Sequence, residues 1–183
     1  MNRSISYSDK NKTLFVHPFN DYDVMLGQST VVQEIYDKIN PDFIFACVGG
    51  GGLISGVGSY SKHFNPSCKI IGVEPENANS LELSLNHKKI TEVKNIDSFV
   101  DGAAVKEVGD KCFSICNTVV DKVVNVSNGK LCNDIIDTYQ NDGIILEPAG
   151  TLSISGLDHF KNDIIGKNVV CILTGSNNDL TRY

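Results

Sequence analysis

The chain has 183 residues, 41% of them apolar and 21% charged, with a formal net charge of −6. That is the ordinary make-up of a soluble globular protein, long enough for one domain that buries roughly 70% of its unfolded surface if it is complete. The 16 Lys and Arg are scattered, with only Lys88-Lys89 adjacent, so no basic face offers counterion release to a nucleic acid. No apolar run approaches a membrane span and no signal peptide opens the chain, which points to the cytoplasm.

Met1–Lys12 lacks an apolar core and reads as a solvated, flexible lead-in. Thr13–Phe19 reads as a strand closed by Pro18 and the turn residues Asn20 and Asp21. Asp23 is placed to cap a helix running to about Ile39, which Asn40-Pro41 stops. Asp42–Val48 is an unbroken apolar strand of the kind buried on both faces of a parallel sheet. After a glycine run come a helix to about Phe64 and the strand Lys69–Val73. Farther on, Asn79–Asn86 and Lys106–Val119 read as helices, Lys122–Val126 as a strand and Asn128–Gln140 as a helix. Gly150–Phe160 is helical and Val169–Leu173 is a last strand. This alternation predicts an α/β fold, a mostly parallel twisted sheet flanked by helices. The chain forms a single partial domain over 1–183, and its abrupt ends read as those of a segment of something larger.

The six cysteines form no CxxC pair. Cys47 and Cys171 sit in apolar runs, and Cys112 and Cys116 share a helical face, as buried structural thiols do.

Four consecutive glycines, Gly49, Gly50, Gly51 and Gly52, join the Asp42–Val48 strand to a helix that begins near Leu53. Each costs conformational entropy to order, so their value lies in close backbone approach. Several N–H groups then converge at a helix N-terminus, which is an anion site fit for a phosphate. A Walker loop is excluded because Gly56 is followed by Val57, not Lys-Ser/Thr. A GxGxxG fingerprint fails because Leu53, Ile54 or Ser55 falls where a glycine is required. A ligand-free tight turn is the bland alternative, but a turn needs only one or two glycines.

With GGGGL in place, other segments fall into a familiar order. FVHPFND, VMLGQST (with Ser29 where relatives usually have glycine), IGVEP, DGAAVK, EPAG and LTGSNND follow one another along the chain. Together they resemble the threonine dehydratases, fold-type II pyridoxal phosphate (PLP) enzymes with the tryptophan synthase β-like fold. The likeness runs from about Leu14 to Arg182 and matches the C-terminal half of the catalytic domain.

The resemblance implies β-elimination of L-threonine, or L-serine, to 2-oxobutanoate or pyruvate and ammonia, in amino-acid metabolism leading to isoleucine. It implies that Gly49 to Gly52 and the Leu53 amide hold the PLP phosphate and that Thr174 faces the pyridine nitrogen. A hydroxyl there does not keep that nitrogen protonated, so the ring is a milder electron sink. Glu147 is expected near the ring and Gly102 beside the substrate pocket; a plain helix N-terminal acid is the alternative for Glu147. Racemase-like relatives bind a cation through positions matching Glu74, the Ala78 carbonyl and Ser80. The missing carboxylate at Ser80 favours no metal.

The family's PLP-bearing lysine lies in an SxKxRGA-like motif that this chain lacks, and none of its fourteen lysines has a small-residue setting. The resemblance therefore implies an inactive chain when alone, completed by an N-terminal half of the catalytic domain, with a homo-oligomer as the full enzyme. Left open are a non-catalytic PLP- or phosphate-binding remnant and a subunit of a split enzyme.

Overall fold

The computed structural model describes residues 2–178. Helices α1 (Asn2–Asn11) and α2 (Tyr22–Tyr36) precede strand β1 (Phe43–Cys47), helix α3 (Gly52–Phe64) and strand β2 (Lys69–Pro75). Then come α4 (Ser80–His87), α5 (Asp110–Val119), β3 (Lys122–Val126), α6 (Asn128–Asp142), α7 (Pro148–Ser155) with a 3₁₀ turn over Gly156–Phe160, and β4 (Val169–Cys171). The four strands are all parallel, in the order β3-β2-β1-β4. No helix among the described residues is long and apolar enough to cross a membrane.

Alternate side chains of each strand enter separate cores, as parallel strands covered on both faces require. Ile44, Val48 and Ile70 pack with Met25, Val32, Ile54 and Val57 from α2 and α3, together with Cys112 and Cys116 of α5. Phe45, Ile71 and Val73 pack with Leu131, Leu152 and Phe160 on the opposite face. Burial pushes the Cys112 thiol up to about 11 and that of Cys116 to about 12, so both are inert protonated fillers. All six cysteines are free.

Helix α2 runs so close to α3 that a Cβ on Gly56 would overlap the Met25 carbonyl. Ser29 is accommodated in this seam because its Oγ turns back to the Leu26 carbonyl at 2.6 Å.

Several expectations are corrected. Residues 2–11 are helical, although solvated as expected, with only Ser8 buried in that helix among the residues whose side chains are described. A run of ten residues without Gly or Pro offers nothing to stop the helix, and the Asn11 side chain bonds the Tyr7 carbonyl at 2.8 Å. Thr13–His17 has no regular secondary structure, Pro18 and Phe19 form a bend, and the segment belongs to no sheet among the described residues. The cap of α2 is Asp21, whose carboxylate accepts from the amides of Asp23 and Val24 at 2.9 and 3.3 Å. Helix α5 starts at Asp110 instead of Lys106. Its first turn is capped from a distance by Asn20, whose Oδ1 accepts the Lys111 amide at 3.0 Å.

At the N-terminal end of the sheet Asp121 ties three elements together. Its carboxylate meets Lys62 of α3 at 2.8 Å and Lys69 of β2 at 2.9 Å, and accepts the Ile70 amide at 2.9 Å. Burial alone would raise this carboxyl, but Lys62, the Ile70 amide and Lys69 outweigh it and hold the group below 3.8. Its stabilisation is thus present above 3.8 and is lost as pH falls through the depressed folded value. Asp121→Asn is expected to cost roughly 1–2 kcal/mol in urea unfolding at pH 7. The gap from the parent should narrow below pH 3.8; a gap that stays constant with pH would show that the charge is not what stabilises.

Candidate functional site

The β1–α3 turn is built so that carbonyls face the protein and amides do not. The last ladder bond of this strand runs from the Val48 amide to the Val73 carbonyl at 2.9 Å. Beyond it, the Gly50 carbonyl accepts the Gly109 amide at 3.1 Å. The Gly51 carbonyl accepts both the amide and the Oγ of Ser55, at 3.0 and 2.6 Å. Among the described residues, no acceptor takes the amides of Gly49, Gly50, Gly51, Gly52 or Leu53. These donors lie at the N-terminus of a 13-residue helix, where the helix dipole adds partial positive charge.

Side chains cannot be added here. Gly51 is the N-cap of α3 with φ +92°, a left-handed conformation that favours glycine, and a Cβ would come 2.9 Å from that of Cys112. On Gly50 a Cβ would overlap the ring of Phe19, which lies across the turn. Phe19 was legible only as part of FVHPFND; its wall role depends on a tertiary contact.

Three other segments converge on the turn. Thr174 follows β4, which neighbours β1, and its Oγ1 lies 3.4 Å from Cys47 Sγ, two residues before Gly49. The Asp101–Ala103 loop abuts Gly49, since a Cβ there would come 3.2 Å from the Ala103 Cα. Glu147 sits between this loop and the Thr174 loop: its carboxylate lies 3.2 Å from a Cβ built on Gly102 and would be overlapped by one on Gly175.

Glu147 is indeed the N-cap of α7, followed by Pro148. Its carboxylate does not cap that helix, however; it accepts the Asn177 amide at 3.2 Å. The Glu147 amide and carbonyl meet Gly175 O and Thr151, so the backbone fixes the residue and frees the side chain toward the site. Burial raises the Cys47 thiol, with Glu147 adding to the effect, so Cys47 stays protonated beside the Thr174 hydroxyl. Cys47 was read from sequence only as a buried filler; nothing in its apolar run signals this polar contact.

All the expected positions, Gly49 to Leu53, Gly102, Glu147 and Thr174, therefore gather at the C-terminal ends of β1 and β4. This is the boundary where chain connections diverge to opposite sides of β1, the usual ligand crevice of open α/β sheets. The last residue of the LTGSNND motif, Asp179, lies outside the described residues.

Glu74 is apart from this cluster. Both its carboxylate oxygens are engaged by the first turn of α4, accepting from Leu81 at 2.8 Å and Glu82 at 2.9 Å. Burial nevertheless pushes its carboxyl up to about 8.

The bared amides, a turn packed too tightly for side chains on Gly50 and Gly51, and a neighbouring hydroxyl fit a flat phosphorylated cofactor such as PLP. The comparisons agree. The family model described as pyridoxal-phosphate dependent enzyme matches residues 3–175. The biosynthetic L-threonine dehydratase of Halalkalibacterium halodurans is 47% identical over 183 residues, covering 99% of this chain and 44% of the relative. That of Bacillus subtilis is 48% identical over 170 residues, covering 92% and 40%. The processed form of threonine deaminase isoform 2 from Solanum lycopersicum superposes with a TM-score of 0.94 at 35% identity, covering 100% of this chain and 54% of that one. The chain thus spans less than half the length of these curated relatives. On motif order, sheet topology and these likenesses, the chain belongs to the pyridoxal-phosphate dependent enzyme family.

Proposed function

We propose that this chain is the cofactor-cradling part of a threonine ammonia-lyase, acting on L-threonine or L-serine by β-elimination. The observation that carries it is the set of amides from Gly49 to Leu53, unclaimed among the described residues, while the Gly50 and Gly51 carbonyls are bonded within the protein. A terminal phosphate there would gain several charge-assisted hydrogen bonds and the favourable end of a helix dipole.

When bound, PLP supplies the electron sink that makes the substrate's α-proton removable. The chain's own groups do the rest of the positioning. Thr174 Oγ1 would meet the pyridine nitrogen, as a hydroxyl that leaves that nitrogen largely unprotonated. Cys47 Sγ, kept as a thiol by burial, restricts the rotation of that hydroxyl. Gly102 and Glu147 would form the wall beside the ring, with the Asn177 amide holding the Glu147 carboxylate in place. The lysine that carries PLP and moves the α-proton would come from an N-terminal half of the catalytic domain, encoded with this chain or apart from it.

The reading is tested by thermal unfolding with ligand. At about 100 times Kd, PLP should stabilise the chain by roughly 2.7 kcal/mol, or about 5–10 °C in Tm for a domain of this size. Inorganic phosphate should give a smaller shift at the same cup. Gly51→Ala should abolish both shifts. Thr174→Val should leave the phosphate response intact and weaken PLP by about 1 kcal/mol, the worth of one hydrogen bond. No Tm response to either ligand would refute the cup.

A separate measurement concerns activity. The chain alone should release no keto acid from L-threonine, and borohydride should trap no PLP adduct on a lysine. Mixing with the N-terminal half of the catalytic region of a relative should restore turnover. A binding remnant would instead answer PLP in the thermal assay and stay inert in the mixture.

A further inference from the structure

Ser55 of α3 has no exposed surface and follows Gly51 by four residues. Its neighbours include Cys112 and Cys116 of α5, a setting in which an apolar residue would pack as well. A hydroxyl taken out of water is costly unless its hydrogen bonds are met. That of Ser55 meets three atoms: the Gly51 carbonyl at 2.6 Å, the Cys112 carbonyl at 3.3 Å and Cys116 Sγ at 3.3 Å.

One hydroxyl carries one proton, so the roles can be assigned. Burial pushes the Cys116 thiol up to about 12, so it keeps its S–H at neutral pH and can donate to Ser55 Oγ. The Ser55 proton then has two carbonyls to choose between. The Gly51 oxygen is the nearer, and the Cys112 carbonyl lies within the ladder of α5. The hydrogen bonds therefore run in one direction, from Cys116 through Ser55 to Gly51.

The peptide unit at the end of this relay separates it from an ordinary helical back-bond. Ser84 makes the same contact four residues back, to the Ser80 carbonyl at 2.7 Å, within α4. The Gly51 carbonyl instead shares its peptide unit with the Gly52 N–H, which no acceptor claims among the described residues. That carbonyl also takes the Ser55 amide at 3.0 Å. Hydrogen bonds in series polarise one another in a low-dielectric interior, so each bond accepted by a peptide carbonyl makes the N–H of the same unit a stronger donor. With two accepted, the Gly52 amide is readied for an anion in advance.

We propose that Ser55 is a positioning residue of the phosphate cup: through the Gly51 carbonyl it fixes the turn and strengthens the Gly52 amide as a donor to the cofactor phosphate, with Cys116 directing its proton. A side chain with no exposed surface does this without touching the ligand. The proposal rests on the reading of Gly49 to Leu53 as that cup and adds what sets its grip.

Calorimetric titration of the chain with inorganic phosphate and, separately, with PLP tests it. Ser55→Ala should weaken both about fivefold, the worth of one hydrogen bond, because both anions are held at the same amides. Ser55→Thr, whose hydroxyl can reach the same carbonyl in a helix, should recover most of that loss. Cys116→Ala, which leaves Ser55 in place, should weaken both by about twofold, as suits a weak S–H donor, and cost nothing further in the Ser55→Ala background. Ser84→Ala removes a like buried bond away from the cup; it should lower the melting temperature and leave both affinities unchanged. In the unliganded chain, the NMR signal of the Gly52 amide proton should move upfield in Ser55→Ala, as it does for a less polarised N–H.

If Ser55→Ala binds both anions as the parent does, the inference falls while the cup stands. Losses in Ser84→Ala that match those in Ser55→Ala would reduce the effect to stability and overturn it as well. A parent that binds neither anion would refute the cup itself, and this inference with it.

Discussion

The turn from β1 into α3 carries five consecutive amides, Gly49 to Leu53, that no acceptor among the described residues claims. Ordinary packing works against this, because buried N–H groups find carbonyls wherever the chain can supply them. The solution here is to spend the carbonyls first. Gly50 O is taken by the Gly109 amide and Gly51 O by Ser55, twice, while the amides of the same peptide units have no acceptor among the described residues. Only residues without side chains pass through the space left between Phe19, Ala103 and Cys112. The walls from α5, the 101–103 loop and the segment before α2 are positioned around that turn.

The two ends of the sheet divide the work accordingly. At the strand starts, polar groups are saturated: Asp121 binds Lys62, Lys69 and the Ile70 amide, and Asp42 accepts the Asn168 amide at 2.8 Å. At the strand ends, the amides of Gly49 to Leu53 are left without an acceptor among the described residues. An N-terminal end that is satisfied can anchor the sheet, whereas unsatisfied groups at the other end are tolerable only if a ligand or water meets them. The asymmetry is what separates a stabilising cluster from a binding one, although both are rich in polar atoms.

How far the sequence could be read follows the same physics. Strand β3 fell on Lys122–Val126 as expected, and β1, α3 and β2 within two residues, because apolar runs and glycine boundaries are local signals. The glycine cup and the positions of Gly102, Glu147 and Thr174 were legible through motif order. What the sequence hid was tertiary. Nothing near Lys106 says that Asn20 caps α5 from 91 residues away. Nor does the string Thr13–Phe19 reveal whether a neighbour exists to pair with it. Residues 2–11 look like a solvated tail by composition, since a helix with one buried side chain has no apolar stripe to show.

The direction of the Glu147 carboxylate is the remaining step. A glutamate before Pro148 reads as an acid favouring the helix dipole, and its backbone does adopt the N-cap role. Yet its side chain turns the other way, to the Asn177 amide, where it lies among Gly102, Gly175 and the Cys47–Thr174 pair. In the proposed arrangement this sets a carboxylate beside the cofactor ring but a neutral hydroxyl at its nitrogen. Negative charge at the nitrogen would favour its protonation and prolong carbanion character; a hydroxyl does not. In that arrangement the Glu147 charge stays off the atom that decides how deep the electron sink is. That division suits elimination, in which the electrons leave promptly with the β-hydroxyl, over chemistry that must store them in the ring.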